Sequence, residues 1–248
     1  MADCERRGLV SGQYRNPREF KAEGFANEVL RRGFVQKVYG ILAAQLAITT
    51  VVAAPFAMKH QLAWKVQEQM PWLMGLSLAV FLAVNCVIMC APQQLRQFPQ
   101  NYLILLVFTL CEGLFVGLIT AQYNIQAVAL ACGLTCAICC SLTMYALTTK
   151  TDFTGMGPYL FAGVIGLMLF GFVMMFVPHV PIVHKIYAGC GAILFSFFLV
   201  YDTQLIVGGK HERASSFSLD DYVLAALAIY MDIIQIFLYL LQLLGDRE

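Results

Sequence analysis

The chain has 248 residues, 60% of them hydrophobic and only 12% charged, with a formal net charge of +1. A soluble globular domain carries about 25% charged residues, so the composition excludes one, and the near-neutral balance does not suggest a nucleic-acid partner. A bilayer span takes roughly 20 mostly apolar residues, so the length accommodates about seven short-looped spans.

Residues 1–33 read as a polar, cytosolic N-terminal tail carrying Arg6, Arg7, Arg15, Arg18, Lys21, Arg31 and Arg32. It has no short apolar core followed by small residues, so span one rather than a cleaved signal peptide is expected to do the targeting. From Glu19 onward, Phe20, Phe25, Leu30 and Phe34 suggest a short helix lying on the membrane surface. Span one is expected over 34–58, span two over 72–90 up to Ala91-Pro92, span three over 102–121 and span four over 126–147. Span five is expected over 159–177, ended by Pro178 and Pro181, span six over 186–207 and span seven over 222–244. Residues 122–125 are barely a turn, which makes spans three and four an antiparallel pair. In the polar loop 208–221, Ser218 and Asp221 have the spacing of a capping box for span seven. The loops are short, so 34–245 form one membrane domain, followed by a short tail, 246–248.

Basic residues set the orientation. The tail with Lys37, Arg96, Lys150, Lys210 and Arg213 places twelve of the sixteen Lys and Arg on one side; Lys59, Lys65, Lys185 and Arg247 lie on the other. The positive-inside rule then puts the N-terminus in the cytosol, and seven spans put the C-terminus on the opposite face, unless span seven re-enters instead of crossing. Of nine Cys, only Cys4 lies outside the apolar stretches, and Cys132, Cys136, Cys139 and Cys140 cluster in span four. Thiolates favour soft metals, but the plainer expectation is small residues buried in helix contacts.

Three carboxylates fall inside apolar spans: Glu112, Asp202 and Asp232. Each costs about 2.5–3.5 kcal/mol near the bilayer centre even on lenient insertion scales, and Lys37 at the edge of span one is the nearest basic counterpart. The acids must be protonated, line a watery cavity or bind a cation. Helical rise puts Asp202 about 12 Å and Asp232 about 16 Å from the same edge, on antiparallel spans, with Glu112 near that depth. The two Asp would share a proton or a cation, and their titrations would be coupled; calcium prefers such carboxylate oxygens. Glu112 is expected to line the ion path. Gln235, one helical step from Asp232, and Tyr201, Thr203 and Gln204 around Asp202 are candidate supporting groups. Gln45 and Asn85 are expected to hydrogen-bond between helices, Ala225, Ala226 and Ala228 to let span seven pack closely, and His179 and His184 to be solvated in a turn.

Tyr201-Asp202-Thr203-Gln204-Leu205-Ile206, Asp220-Asp221-Tyr222-Val223-Leu224-Ala225-Ala226-Leu227 and Tyr230-Met231-Asp232-Ile233-Ile234 resemble the transmembrane Bax inhibitor motif family, the Lifeguard branch in particular. Phe34-Val35-Gln36-Lys37-Val38-Tyr39 with Gln45-Leu46, and Lys150-Thr151-Asp152-Phe153, are similar to its span-one entry and its loop between spans four and five. The resemblance implies seven transmembrane helices with the last one central and wrapped by the other six. It implies a pH-sensitive calcium leak from intracellular stores, in endoplasmic reticulum, Golgi or plasma membrane, that restrains apoptosis without enzymatic activity or a cofactor. The paired acids would be Asp202 and Asp232, holding calcium transiently, and apoptosis regulators or calcium-release channels would be partners. Two departures stand out: the tail lacks a long Pro-, Gly- and Tyr-rich segment, and span two has no basic residue to latch onto an acid. One rival is a non-conducting adaptor for death-receptor or calcium-release proteins. An intramembrane aspartyl protease is another, but such enzymes carry Gly-x-Gly-Asp where this chain has Ile229-Tyr230-Met231-Asp232.

Overall fold

The computed structural model describes residues 17–70, 99–174, 176, 180–208 and 221–245, with scattered residues between 72 and 83; its side-chain description begins at Leu30. The expected second span with Asn85 falls largely outside these residues, as do Lys210, Arg213, Ser218 and His179.

The described chain is helical: α1 (Pro17–Met58), α2 (His60–Gln69), α3 (Gln100–Thr120), α4 (Ile125–Thr148), a single 3-10 turn (Thr154–Met156), α5 (Gly157–Met174), α6 (Pro181–Val207) and α7 (Tyr222–Leu244). Among the described residues six stretches are long and apolar enough to cross a bilayer: Leu30–Met58 of α1, α3, α4, Thr154–Met174, α6 and α7. Large side chains such as Leu103, Leu106, Phe161, Met168, Phe172, Ile186 and Phe197 stay exposed on these helices, as a lipid-facing surface requires. This is an all-α multi-pass membrane protein.

Helix bounds follow local chemistry. Asn124 caps α4, its side chain accepting from the Gln126 N–H at 3.0 Å. Pro181 sits in the first turn of α6, where its missing N–H has no intrahelical partner to lose. It therefore starts α6 earlier than the expected 186 instead of merely ending span five, and His184 joins the helix with Nδ1 3.1 Å from Val180 O. The segment from Glu19 is no separate surface helix but the continuous start of α1. Asp221 is the N-cap residue of α7 and makes no side-chain cap bond, so it cannot be the third helical residue that the capping-box expectation required.

The helix α7 is the most buried of the six described spans. Val223, Ala225, Ala226, Leu227, Tyr230, Ile236 and Leu241 are fully enclosed, while Ala228 is half-buried. It packs against α1, α3, α4 and α6, most extensively α6, whereas α5 packs on α6 with only Leu160 buried. One end of the bundle brings together Arg31, Lys37, Tyr102 and Tyr222: the Lys37 Nζ lies 4.6 Å from the Tyr222 ring centre, and the Tyr102 and Tyr222 rings are 6.1 Å apart. At the opposite end Gly245, just past α7, lies against the Tyr123 ring in the α3–α4 turn. Twenty-three helical residues rise about 34 Å, so α7 runs the full height of the bundle.

Candidate ion site

Asp202 lies in the last turns of α6 and Asp232 in the middle of α7. Their carboxyl groups face each other within hydrogen-bonding reach. Two carboxyls this close can hydrogen-bond only if one of them carries a proton. Asp232 is 4% exposed, and its Oδ2 takes no hydrogen bond from any described residue; Asp202 is half-buried. Cys139 of α4 lies near enough to Asp232 to interact with it electrostatically. A step along α6, the fully buried Thr203 hydroxyl has no hydrogen-bond partner among the described residues, and the Tyr39 hydroxyl of α1 lies toward Thr203 and Thr143.

The proposed supporting residues divide. Tyr201 is turned to α5: a Cβ on Gly157 would come within 2.8 Å of its hydroxyl. Gln204 is committed to the α4–α5 loop, donating from Nε2 to Thr151 O at 3.0 Å and accepting from Phe153 N–H at 2.8 Å. That amide clips the loop to the end of α6 and does not serve Asp202. Gln235 is half-buried on α7.

Glu112 is elsewhere. It sits on α3, 1% exposed, beside Tyr230 of α7, and its Oε1 has no partner among the described residues. Tyr230 and Asp232 are two residues apart and so point about 160° away from each other around the helix. The three acids are thus not one cluster: the Asp pair lies on the α4–α6 side of α7, and Glu112 on the α1–α3 side. Gln45 makes the interhelical bond expected of it, Nε2 donating to Thr109 Oγ1 at 3.3 Å.

At the end of α6, the sequence offers no signal for Arg31. Its Nη2 donates to Leu205 O at 2.9 Å, satisfying a carbonyl that the end of α6 leaves open, with a cation where the helix dipole favours one. Gly208 closes the helix at φ 80°, a conformation that favours glycine; a Cβ there would meet only the movable end of Arg31. Lys37 stacks on Tyr222 at the rim. The expected burial of the cysteine cluster is corrected: Cys132, Cys136 and Cys140 face outward and only Cys139 is turned inward, half-buried. No group of three or more metal-ligating side chains occurs among the described residues.

Residues 31–248 match the family model described as Inhibitor of apoptosis-promoting Bax1. The chain belongs to the Bax inhibitor family. It is similar to Protein lifeguard 3 of Homo sapiens, 36% identical over 88% of this chain and 70% of that protein. The Mus musculus protein of the same name is 35% identical over 92% and 74%. Bax inhibitor 1 of Schizosaccharomyces pombe is 29% identical over 87% and 77%. The matched region of this Bax inhibitor family member includes every helix that contributes to the Asp pair and to the Glu112 cluster.

Proposed function

We propose that this protein is a seven-span, pH-responsive calcium leak of an intracellular membrane that lowers stored calcium and thereby restrains apoptosis, with Asp202 and Asp232 as its sensor and transient calcium ligands. The opposed carboxyls carry the reading. Inside apolar spans an acid pair is costly unless it does something, and this one joins the two helices that pack together most extensively. With a shared proton the pair draws α6 and α7 together. Without it, two negative charges in a low dielectric repel or recruit Ca²⁺, and either response alters how the helices pack, giving the two-state element that a pH switch needs. The family's description and the Lifeguard likeness support the apoptosis part.

Calcium efflux from proteoliposomes across a pH series tests this. Asp202→Asn or Asp232→Asn should flatten the pH dependence, and the double replacement should add little, because the two act as a unit. Either single variant keeping the full wild-type response would place the sensor elsewhere; protein that conducts no calcium at any pH would leave the adaptor reading standing.

A further inference from the structure

On the α1–α3 side of α7 a second polar cluster is buried: Gln45 (2% exposed), Thr49 (4%), Thr109 (1%), Glu112 (1%) and Tyr230 (0%). Its hydrogen bonds can be traced donor by donor. Thr49 donates to Gln45 O at 2.8 Å, and Thr109 to Leu105 O at 2.7 Å. Each hydroxyl has one proton, so in the 2.7 Å contact between Tyr230 and Thr49 it is Tyr230 that donates. Gln45 Nε2 donates to Thr109. Every hydroxyl proton is therefore committed. What remains over is one amide N–H of Gln45 against a larger acceptor capacity, including Gln45 Oε1 and Glu112 Oε1, both buried and both without a partner among the described residues. Unpaired buried acceptors are expensive, and an excess of acceptors calls for a cation or a proton.

We propose that Gln45, Thr49, Thr109, Glu112 and Tyr230 form a second cation site, distinct from the Asp pair, that takes one monovalent cation: a sodium ion or a proton. The charge argues for monovalence. Among the described residues facing it, α1 contributes only the neutral Gln45 and Thr49, α7 the phenol of Tyr230, and α3 the neighbouring thiol of Cys111. One carboxylate is neutralised by one positive charge, whereas a divalent ion would leave a net charge in the membrane interior. Oxygen-only ligands suit a hard cation. The site does not depend on calcium conduction.

The test uses the full chain in nanodiscs, as wild type and with both Asp202→Asn and Asp232→Asn, so that the Asp pair cannot account for the signal. Radiolabelled sodium binding is measured at constant ionic strength with choline as replacement. Infrared difference spectra between acid and alkaline buffers, with and without sodium, follow carboxyl protonation. The expected result is saturable sodium binding that removes the protonated carboxyl band, or, if the occupant is a proton alone, a titrating band that sodium leaves unchanged. Either signal survives the loss of both Asp and disappears in Glu112→Gln. Thr109→Val, which keeps the carboxyl and removes one acceptor, must weaken sodium binding severalfold or shift the band, and covers the case in which Glu112→Gln does not fold. Absence of both signals in wild type, or their persistence unchanged in every variant that folds, overturns the proposal.

Discussion

Gln204 and Asp202 are two residues apart on α6 and face different tasks. The Gln204 amide is 8% exposed and satisfies both a carbonyl and an N–H of the α4–α5 loop. Gln204→Leu leaves Thr151 O and Phe153 N–H unpaired, which costs about 1–3 kcal/mol. Thermal unfolding in detergent should show the loss, and Gln204→Glu, which retains only the acceptor, should recover part of it. The acids were legible from sequence because a carboxyl inside an apolar run is costly wherever it points. The neighbours of Asp202 were not, because a residue's duty depends on which way its helix is rotated, and that is decided by partners far away in the chain. Gln204 turns to the α4–α5 loop, and Glu112, near the depth of the Asp pair, lies on another side of α7: matched depth does not imply a shared face.

Among the elements, α3 and α1 owe their contact to two glycines. A Cβ on Gly113 would lie 3.1 Å from the Val52 Cβ and 3.3 Å from the Thr49 Cα; one on Gly117 would lie 2.8 Å from the Phe56 ring and 3.1 Å from the Ala53 Cα. Glycines four apart let helix backbones approach closely. This one brings Gln45 and Thr49 up to Thr109 and Glu112. Gly117→Leu should cost about 1–3 kcal/mol by overpacking, read as a lower unfolding midpoint, and should also loosen the Gln45–Thr109 bond. Gly113→Ala should be milder, since the single added Cβ would lie no closer than 3.1 Å to its neighbours, against 2.8 Å at Gly117. The spacing was visible in the sequence, but only packing against α1 gives it meaning. Span limits were legible within a few residues because apolar runs end at polar turns: α7 begins and ends as expected. By contrast α2, ten residues between α1 and the next span, was not expected; among its described side chains, Val66 is seated against Leu118 and Ala121.

For the whole molecule, the distribution of basic residues and the full-height course of α7 lead to one topology. Arg31 and Lys37 share an end with the start of α7, while Gly245 meets Tyr123 at the other. Tags at the two termini, tested by protease protection in sealed microsomes, should be cut at the N-terminus and shielded at the C-terminus; digestion of both from the cytosolic side would mean that the last helix does not cross. Because α7 carries Tyr230 toward one pair of helices and Asp232 toward the other, it can act as a camshaft. A turn of about 20° on its own axis sweeps side-chain tips, about 6 Å out, by about 2 Å, in opposite directions on the two faces. That stroke would part Asp232 from Asp202 and, in the same motion, draw Tyr230 off Thr49, so torque applied at either face is felt at the other without any change in the helix's length or tilt.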